Sequence, residues 1–274
     1  KNKFMQKKNE RSLIYCLCLQ DNLLNKVKNL NYIPVGLGEE KFSADWLRDN
    51  TGRNITLKNP YYGEYTFHYW FWKNEIDKIP DDTWIGFCTY RRFWSNKKKL
   101  ISESISKKVI NEIPNEWNDY DVILGDQLNI QNIKWIKILK YGKKTLLKNP
   151  KAIFTNERNI KFQFDVFHGD GILDKAIDLL DKENRDDFRL YVNNMPSFNR
   201  GNMFVSKSKK LIKDYYLTIF DWLNECEKLF GFELEGYSKM RIYGFLAERF
   251  LPYWFNKNAK TLEWPILFQD LNDE

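Results

Sequence analysis

Residues 84–94 read WIGFCTYRRFW: an apolar run passes straight into two adjacent arginines, and aromatics close around them. The run predicts a short buried strand. Burying an unpaired guanidinium is costly, so Arg91 and Arg92 at the end of such a strand require an anionic partner, internal or external. In open α/β sheets ligands bind outside the carboxyl ends of the strands, which is where Tyr90, Arg91 and Arg92 should emerge. If the segment stays extended, the two arginines point to opposite faces, one free to pair internally and the other to face a cleft. Two readings follow. The pair either neutralises acids such as Glu64 or Glu248, or clamps an external anion, most simply a diphosphate whose oxygens match arginine's planar fork.

Outward from this strand, SLIYCLCL (12–19), YDVILGD (120–126) and GNMFVSK (201–207) read as further strands, and YIPVGLG (32–38) as a short element ending in glycines. YYGEYTFHYWFWKNE (61–75) follows Pro60 and predicts a helix that is apolar almost all round, hence buried. Helical periodicity recurs over 171–183, 208–229 and 238–256, before an extended tail, TLEWPILF (261–268). Strands alternating with helices predict an α/β class with a largely parallel sheet. Residues 1–11 are expected to be a flexible lead-in and 12–274 a single domain. The stretch 39–60, rich in Asp, Asn, Gly and Thr, predicts a long loop, and such loops tend to be functional.

The 274 residues are 43% hydrophobic, 30% charged and 16% aromatic, the composition of a globular chain with a sizeable core. A net charge of +7 suits anionic partners, yet no nucleic-acid motif accompanies the basic runs, and nucleic acid is not expected as a partner. Cys16, Cys18 and Cys88 fall in predicted strands, a core pattern rather than a disulfide framework, which points to a reducing cytoplasm. No apolar run is long enough to cross a membrane. There is no glycine-rich phosphate loop, no G-x-S-x-G and no H-E-x-x-H.

Three further constellations stand out. In YSKMRIYGFLAERFLPYW (237–254), Arg241, Gly244, Phe245 and Glu248 share one helical face. Gly244 costs a helix about 1 kcal/mol relative to Ala, so something should approach closely there. Glu248 either pairs with Arg241, Arg249 or the strand arginines, or serves in acid–base work. In FNRGNMFVSK (198–207), Asn199 and Asn202 offer amide groups to a polyol, or form a plain turn. Of the two histidines, His68 is expected to be a packed core residue, whereas His168, in a predicted loop, either touches a ligand or caps the next helix.

DNTGRNITLKNPYYGEYTFHYWFWKN, WIGFCTYRRFW, YDVIL, NMFVSK and GFLAERFLPYWFNKN, in that order, resemble the DUF4422 family of bacterial capsular and exopolysaccharide glycosyltransferases. The similarity runs from about residue 12 to 268. The chain departs from the family pattern at Thr89, where His is usual, and at Leu19-Gln20, where His-Lys is usual. The resemblance implies a GT-A-like, Rossmann-related α/β fold with a helical C-terminal part. It also implies transfer of a sugar from a nucleotide-diphosphate donor, such as a UDP-sugar or the furanose donor UDP-galactofuranose, to a glycan or lipid-linked glycan acceptor. The setting would be the cytoplasm, with peripheral contact at the inner membrane. Many GT-A enzymes hold a divalent metal, Mn or Mg, with an Asp-x-Asp at the end of this strand. This chain has Thr89-Tyr90-Arg91-Arg92 at that position instead. The hypothesis is that Arg91 or Arg92, helped by Lys73 or Arg249, replaces the metal, so that no cofactor is needed. The resemblance places Asp49, Asn50, Thr51, Asn54, Asn59, Tyr62, Glu64 and Tyr90 around the donor, and His168, Asp170 and Asn202 near sugar or acceptor. Glu248, Glu235 and Asp170 compete as the base that deprotonates the acceptor hydroxyl, Glu248 being favoured. A transferase of a phosphorylated substituent, or a non-catalytic basic carbohydrate- or nucleic-acid-binding module, stays open as an alternative.

Overall fold

The computed structural model describes residues 11–97, 103–148, 150 and 158–273; apart from Arg11, the expected lead-in lies outside them. The strands are β1 (Ser12–Cys18), β2 (Ile33–Gly36), β3 (Leu47–Arg48), β4 (Trp84–Thr89), β5 (Arg92–Trp94), β6 (Val122–Gly125), β7 (Gln127–Asn129), β8 (Ser197–Asn199), β9 (Phe204–Ser206), β10 (Thr261–Trp264) and β11 (Ile266–Phe268). The helices are α1 (Leu24–Lys28), α2 (Asn59–Tyr62), α3 (Tyr65–Asn74), α4 (Trp135–Tyr141), α5 (Lys143–Lys148), α6 (Ile160–His168), α7 (Ile172–Asp178), α8 (Lys182–Asn194), α9 (Lys209–Phe230), α10 (Tyr237–Met240) and α11 (Ile242–Asn258).

The main sheet has the order β10-β6-β9-β4-β1-β2-β3. Parallel pairing joins β3, β2, β1 and β4, and again β6 and β10. Only β9 in this row runs the other way, between β6 and β4. Its first residue therefore lies at the edge where its neighbours end. The hairpin strand β5 and the tail strand β11 add an antiparallel flank.

Side chains alternate across the strands, so each strand feeds two cores. Tyr15, Leu17, Ile85 and Phe87 pack under α3, α9 and α11. Ile14, Cys16, Cys18, Trp84 and Cys88 pack on the opposite face with Trp94, Trp117 and Trp264. Cover on both faces is why these strands read as continuous apolar runs. All four cysteines are free and buried.

Several boundaries differ from the sequence expectation. The helix expected over 61–75 breaks at Gly63, whose φ of 56° ends α2 before α3 begins. A side chain at Gly63 would collide with the Arg241 guanidinium, so glycine serves both the turn and the contact. The helix expected over 171–183 ends at Asp178, and Asp181 caps α8 by accepting from the Asn184 N–H at 3.0 Å. His168 lies not in a loop but on the last position of α6, with Gly169 (φ 124°) breaking the helix after it. The close approach foreseen at Gly244 is to backbone: a Cβ there would stand 3.2 Å from the Tyr62 carbonyl oxygen.

Helix α3 is buried on nearly all sides, and within it His68 is fully enclosed, its Nδ1 2.7 Å from the Tyr216 hydroxyl. Burial pushes its pKa from the ordinary 6.5 down to about 3. Between those values the unfolded chain binds a proton that the folded one excludes, so stability rises with pH across that window and falls on acidification. Urea unfolding should show about 2 kcal/mol lost through this group between pH 7 and pH 5. A His68→Gln variant should lack that component, and an unchanged pH slope in the variant would contradict the assignment.

Candidate functional site

The carboxyl ends of β4 and β6 meet the start of β9 at one edge of the sheet. The register Gly86↔Val205 and Leu124↔Phe204 carries the turn between β8 and β9 over that edge. Gly201 (φ 89°) and Asn202 (φ 38°) shape the turn, glycine and asparagine being the residues that best tolerate positive φ. A Cβ on Gly201 would lie 2.9 Å from Arg92 Nη1, so glycine lets the guanidinium rest on the backbone.

The arginine pair does not continue extended. The chain turns at Tyr90-Arg91, and Thr89 pairs with Arg92 at the start of β5. β11 pairs with β5 and brings the tail alongside, so that Arg91 Nε donates to Asp270 Oδ2 at 2.6 Å. The Arg91 guanidinium also sits 4.7 Å over the buried Tyr90 ring. Arg92 forms no hydrogen bond or ion pair among the described residues; its guanidinium faces the Phe268 ring at 5.8 Å. The same ring carries Arg200 at 4.2 Å, and Arg200 reaches Asp126 only at 3.6 Å. Two guanidiniums thus share one half-exposed aromatic, with a single distant carboxylate beside them.

The acids offered as partners for the arginine pair are engaged elsewhere. Glu248 accepts the Gly201 N–H on Oε1 at 2.7 Å and Arg249 Nη1 on Oε2 at 2.6 Å. Glu64 accepts Arg241 Nη2 at 3.2 Å. Arg241 also donates to the Tyr237 hydroxyl, while Asn202 Nδ2 donates to the Gly244 carbonyl at 3.1 Å and lies 3.5 Å from Glu64.

Arg249 is interior, 2% exposed, and donates to Gln163 Oε1 at 2.7 Å and to the Phe245 carbonyl as well as to Glu248. Burial lowers its pKa, opposed by the charge of Glu248. His168 Nε2 lies 3.3 Å from Arg249 Nη2, and its ring stacks on Phe245 with centroids 4.0 Å apart. Arg249 is thus enclosed by protein groups, with Glu248 as its carboxylate partner.

Contacts link Arg92, Glu248, Asn202, Glu64, Arg241, Arg249 and His168, whereas other residues named from the sequence are engaged in contacts of their own. Asp49 is fully buried and accepts from Thr56 Oγ1 at 3.0 Å; burial raises its carboxyl pKa. Thr51 accepts from Trp70 Nε1 at 3.1 Å, exposed Asn54 braces its own turn, and exposed Asn50 precedes them in this loop. Arg53 and Asn74 bind each other, which lays the 51–54 loop along α3. Asn59 bonds to the Gly63 carbonyl and Thr66. Tyr62 donates to Glu227 at 2.8 Å, which belongs to α9. Lys73 lies over the Trp72 ring, at the end of α3 that leads back to the start of β4. Asp170 pairs with Lys148. Among the described residues, no three His, Cys, Asp or Glu side chains cluster closely enough to hold a metal ion. Arg200, Asp126, Phe268 and Asp270 were not singled out by sequence reasoning, because only the return of the tail beside β5 unites them.

No helix among the described residues is long and apolar enough to cross a membrane. A comparison with curated proteins gives no match. Among solved structures, the apo structure of the bifunctional glycosyltransferase WbbM aligns with a TM-score of 0.61 at 20% identity, covering 94% of this chain and 45% of that one. At that identity the likeness is one of fold, and the chain spans less than half the length of that protein. The fold is GT-A-like: a mostly parallel, Rossmann-related sheet flanked by helices. A family described as "Domain of unknown function (DUF4422)" matches residues 14–259, nine-tenths of the sequence, and the chain belongs to that family.

Proposed function

We propose that this chain is a glycosyltransferase that moves a sugar from a nucleotide-diphosphate donor, a UDP-sugar, to a growing capsular, lipopolysaccharide or exopolysaccharide glycan. Arginines serve where related folds use a metal. The observation that carries this reading is Arg92, held against Gly201 at the end of β4 with no acid partner among the described residues. A cation fixed at the ligand edge of such a sheet suits a diphosphate. The fold shared with a glycosyltransferase supports the same class.

In the transfer, the acceptor hydroxyl oxygen bonds to the anomeric carbon as the bond from that carbon to the diphosphate oxygen breaks. The proton passes to a carboxylate and the diphosphate leaves with its added negative charge. Arg92 and Arg200 meet that charge; one such contact at 4 Å is worth about 4 kcal/mol at an effective dielectric near 20. Arg91, tied to Asp270, holds the turn that presents Arg92. Glu248 is the carboxylate nearest the Gly201-Asn202 turn, and Arg249 orients it as the base. Asn202 and Glu64 line the sugar side.

Turnover is expected to survive EDTA, with UDP released from a UDP-sugar; loss of transfer restored by Mn²⁺ would sink the arginine reading. A transferase of a phosphorylated substituent would give no UDP. Arg92→Ala should cost about 10²–10³ in kcat, measured as UDP release, while Arg91→Ala should cost far less because its charge is spent on Asp270. Glu248→Gln keeps an acceptor for the Gly201 N–H but loses the base, so kcat should fall about 10²–10⁴-fold. Full turnover in a folded Glu248→Gln variant would assign Glu248 a purely structural role.

A further inference from the structure

Helices α4 and α5 follow one another almost without a break, Gly142 N–H reaching the Ile138 carbonyl and Leu146 N–H the Gly142 carbonyl. Their inner side is seated: Ile138 and Leu146 are buried with Phe162 and Val166 of α6. Gly142 permits this, since a Cβ there would stand 2.9 Å from a Val166 methyl. Their outer side is apolar yet uncovered. Ile136 is 77% exposed, Leu139 52%, Tyr141 57% and Leu147 84%. No other short stretch of the described residues leaves so many large apolar side chains in water.

Charge identifies what covers this side. Residues 134–148 carry six lysines and no acid. Lys134, Lys137, Lys140 and Lys143 are exposed and form no ion pair among the described residues. Alternating aliphatic and lysine side chains on a helix suit an anionic bilayer, the apolar groups entering the headgroup boundary and the ammonium groups meeting lipid phosphates. A second copy docking the same face would oppose lysine to lysine. Nucleic acid would satisfy the lysines but leave Ile136 and Leu147 without a partner.

We propose that the outer side of α4 and α5 is a docking surface for an anionic lipid membrane. It stands whether or not the chain transfers a sugar. It also has a bearing on the site, because α6, on which these helices rest, carries Gln163 and His168 against Arg249. Two helix layers, about 20 Å, therefore separate the docking face from the arginine–glutamate cluster.

The test is co-sedimentation of the full chain with vesicles of phosphatidylcholine alone or mixed with phosphatidylglycerol, without donor. Binding to the mixed vesicles only, weakened by salt, is expected. Ile136→Asp with Leu147→Asp should abolish it, and each of Lys137→Glu and Lys140→Glu should weaken it about fivefold or more. All four positions are exposed, so circular dichroism should be unchanged. No binding to the mixed vesicles, equal binding to both kinds, or indifference to these substitutions would overturn the proposal. So would dimerisation in sedimentation that Ile136→Asp abolishes, since a second copy would then be the occupant.

Discussion

The geometry of the edge where β4 and β6 end depends on one carboxylate. Glu248 binds the Gly201 N–H with one oxygen and Arg249 with the other, which ties α11 to the turn before β9. Through Gln163 and His168, Arg249 extends the tie to α6. Removing one partner from such a buried pair leaves the other uncompensated, typically at 3–5 kcal/mol, so the network holds as a unit. The position of Arg92 follows from it, because the guanidinium lies on the backbone of Gly201.

The two adjacent arginines divide their work by geometry rather than chemistry. An extended strand would have sent them to opposite faces, but the turn at Tyr90-Arg91 and the returning tail give Arg91 a carboxylate and leave Arg92 without one. Arginine keeps its charge at any accessible pH and has a fixed fork of donors, so a site built on it is preorganised. Phe268 supports this by offering one ring face to both Arg92 and Arg200, where an acid would have cancelled them.

The α/β class, the buried strands and the packed state of His68 were legible in the sequence because each rests on local periodicity or burial. The close approach at Gly244 was legible for a similar reason: a glycine inside a helix has a cost that something must offset. The helix ends at Gly63 and Asp178 were not, since Gly63 looked like an isolated glycine inside a sustained apolar pattern. Arg249 was one of several partners the sequence offered Glu248, and it is the one the structure shows. The contacts of the residues assigned to the donor over 49–62 were not legible: Asp49 turns inward to Thr56, and Tyr62 turns to Glu227 of α9, far along the chain. Asp270 lies 179 residues from Arg91, beyond the reach of any spacing argument.

That separation has a consequence for how the chain acquires its structure. β10 adds to β6, and β11 to β5, only after residues 261–268 have been made, so two of the sheet's pairings are among its least local contacts. Long-range pairings of this kind slow folding and leave strand edges open in the meantime. During synthesis the helices and the β1–β4 core can assemble, with β5 on β4 and β6 on β9, while the outer edges of β5 and β6 wait unpaired. Arg92 gains its aromatic platform only with Phe268, so the edge that carries the arginines is the last part of the molecule to take shape.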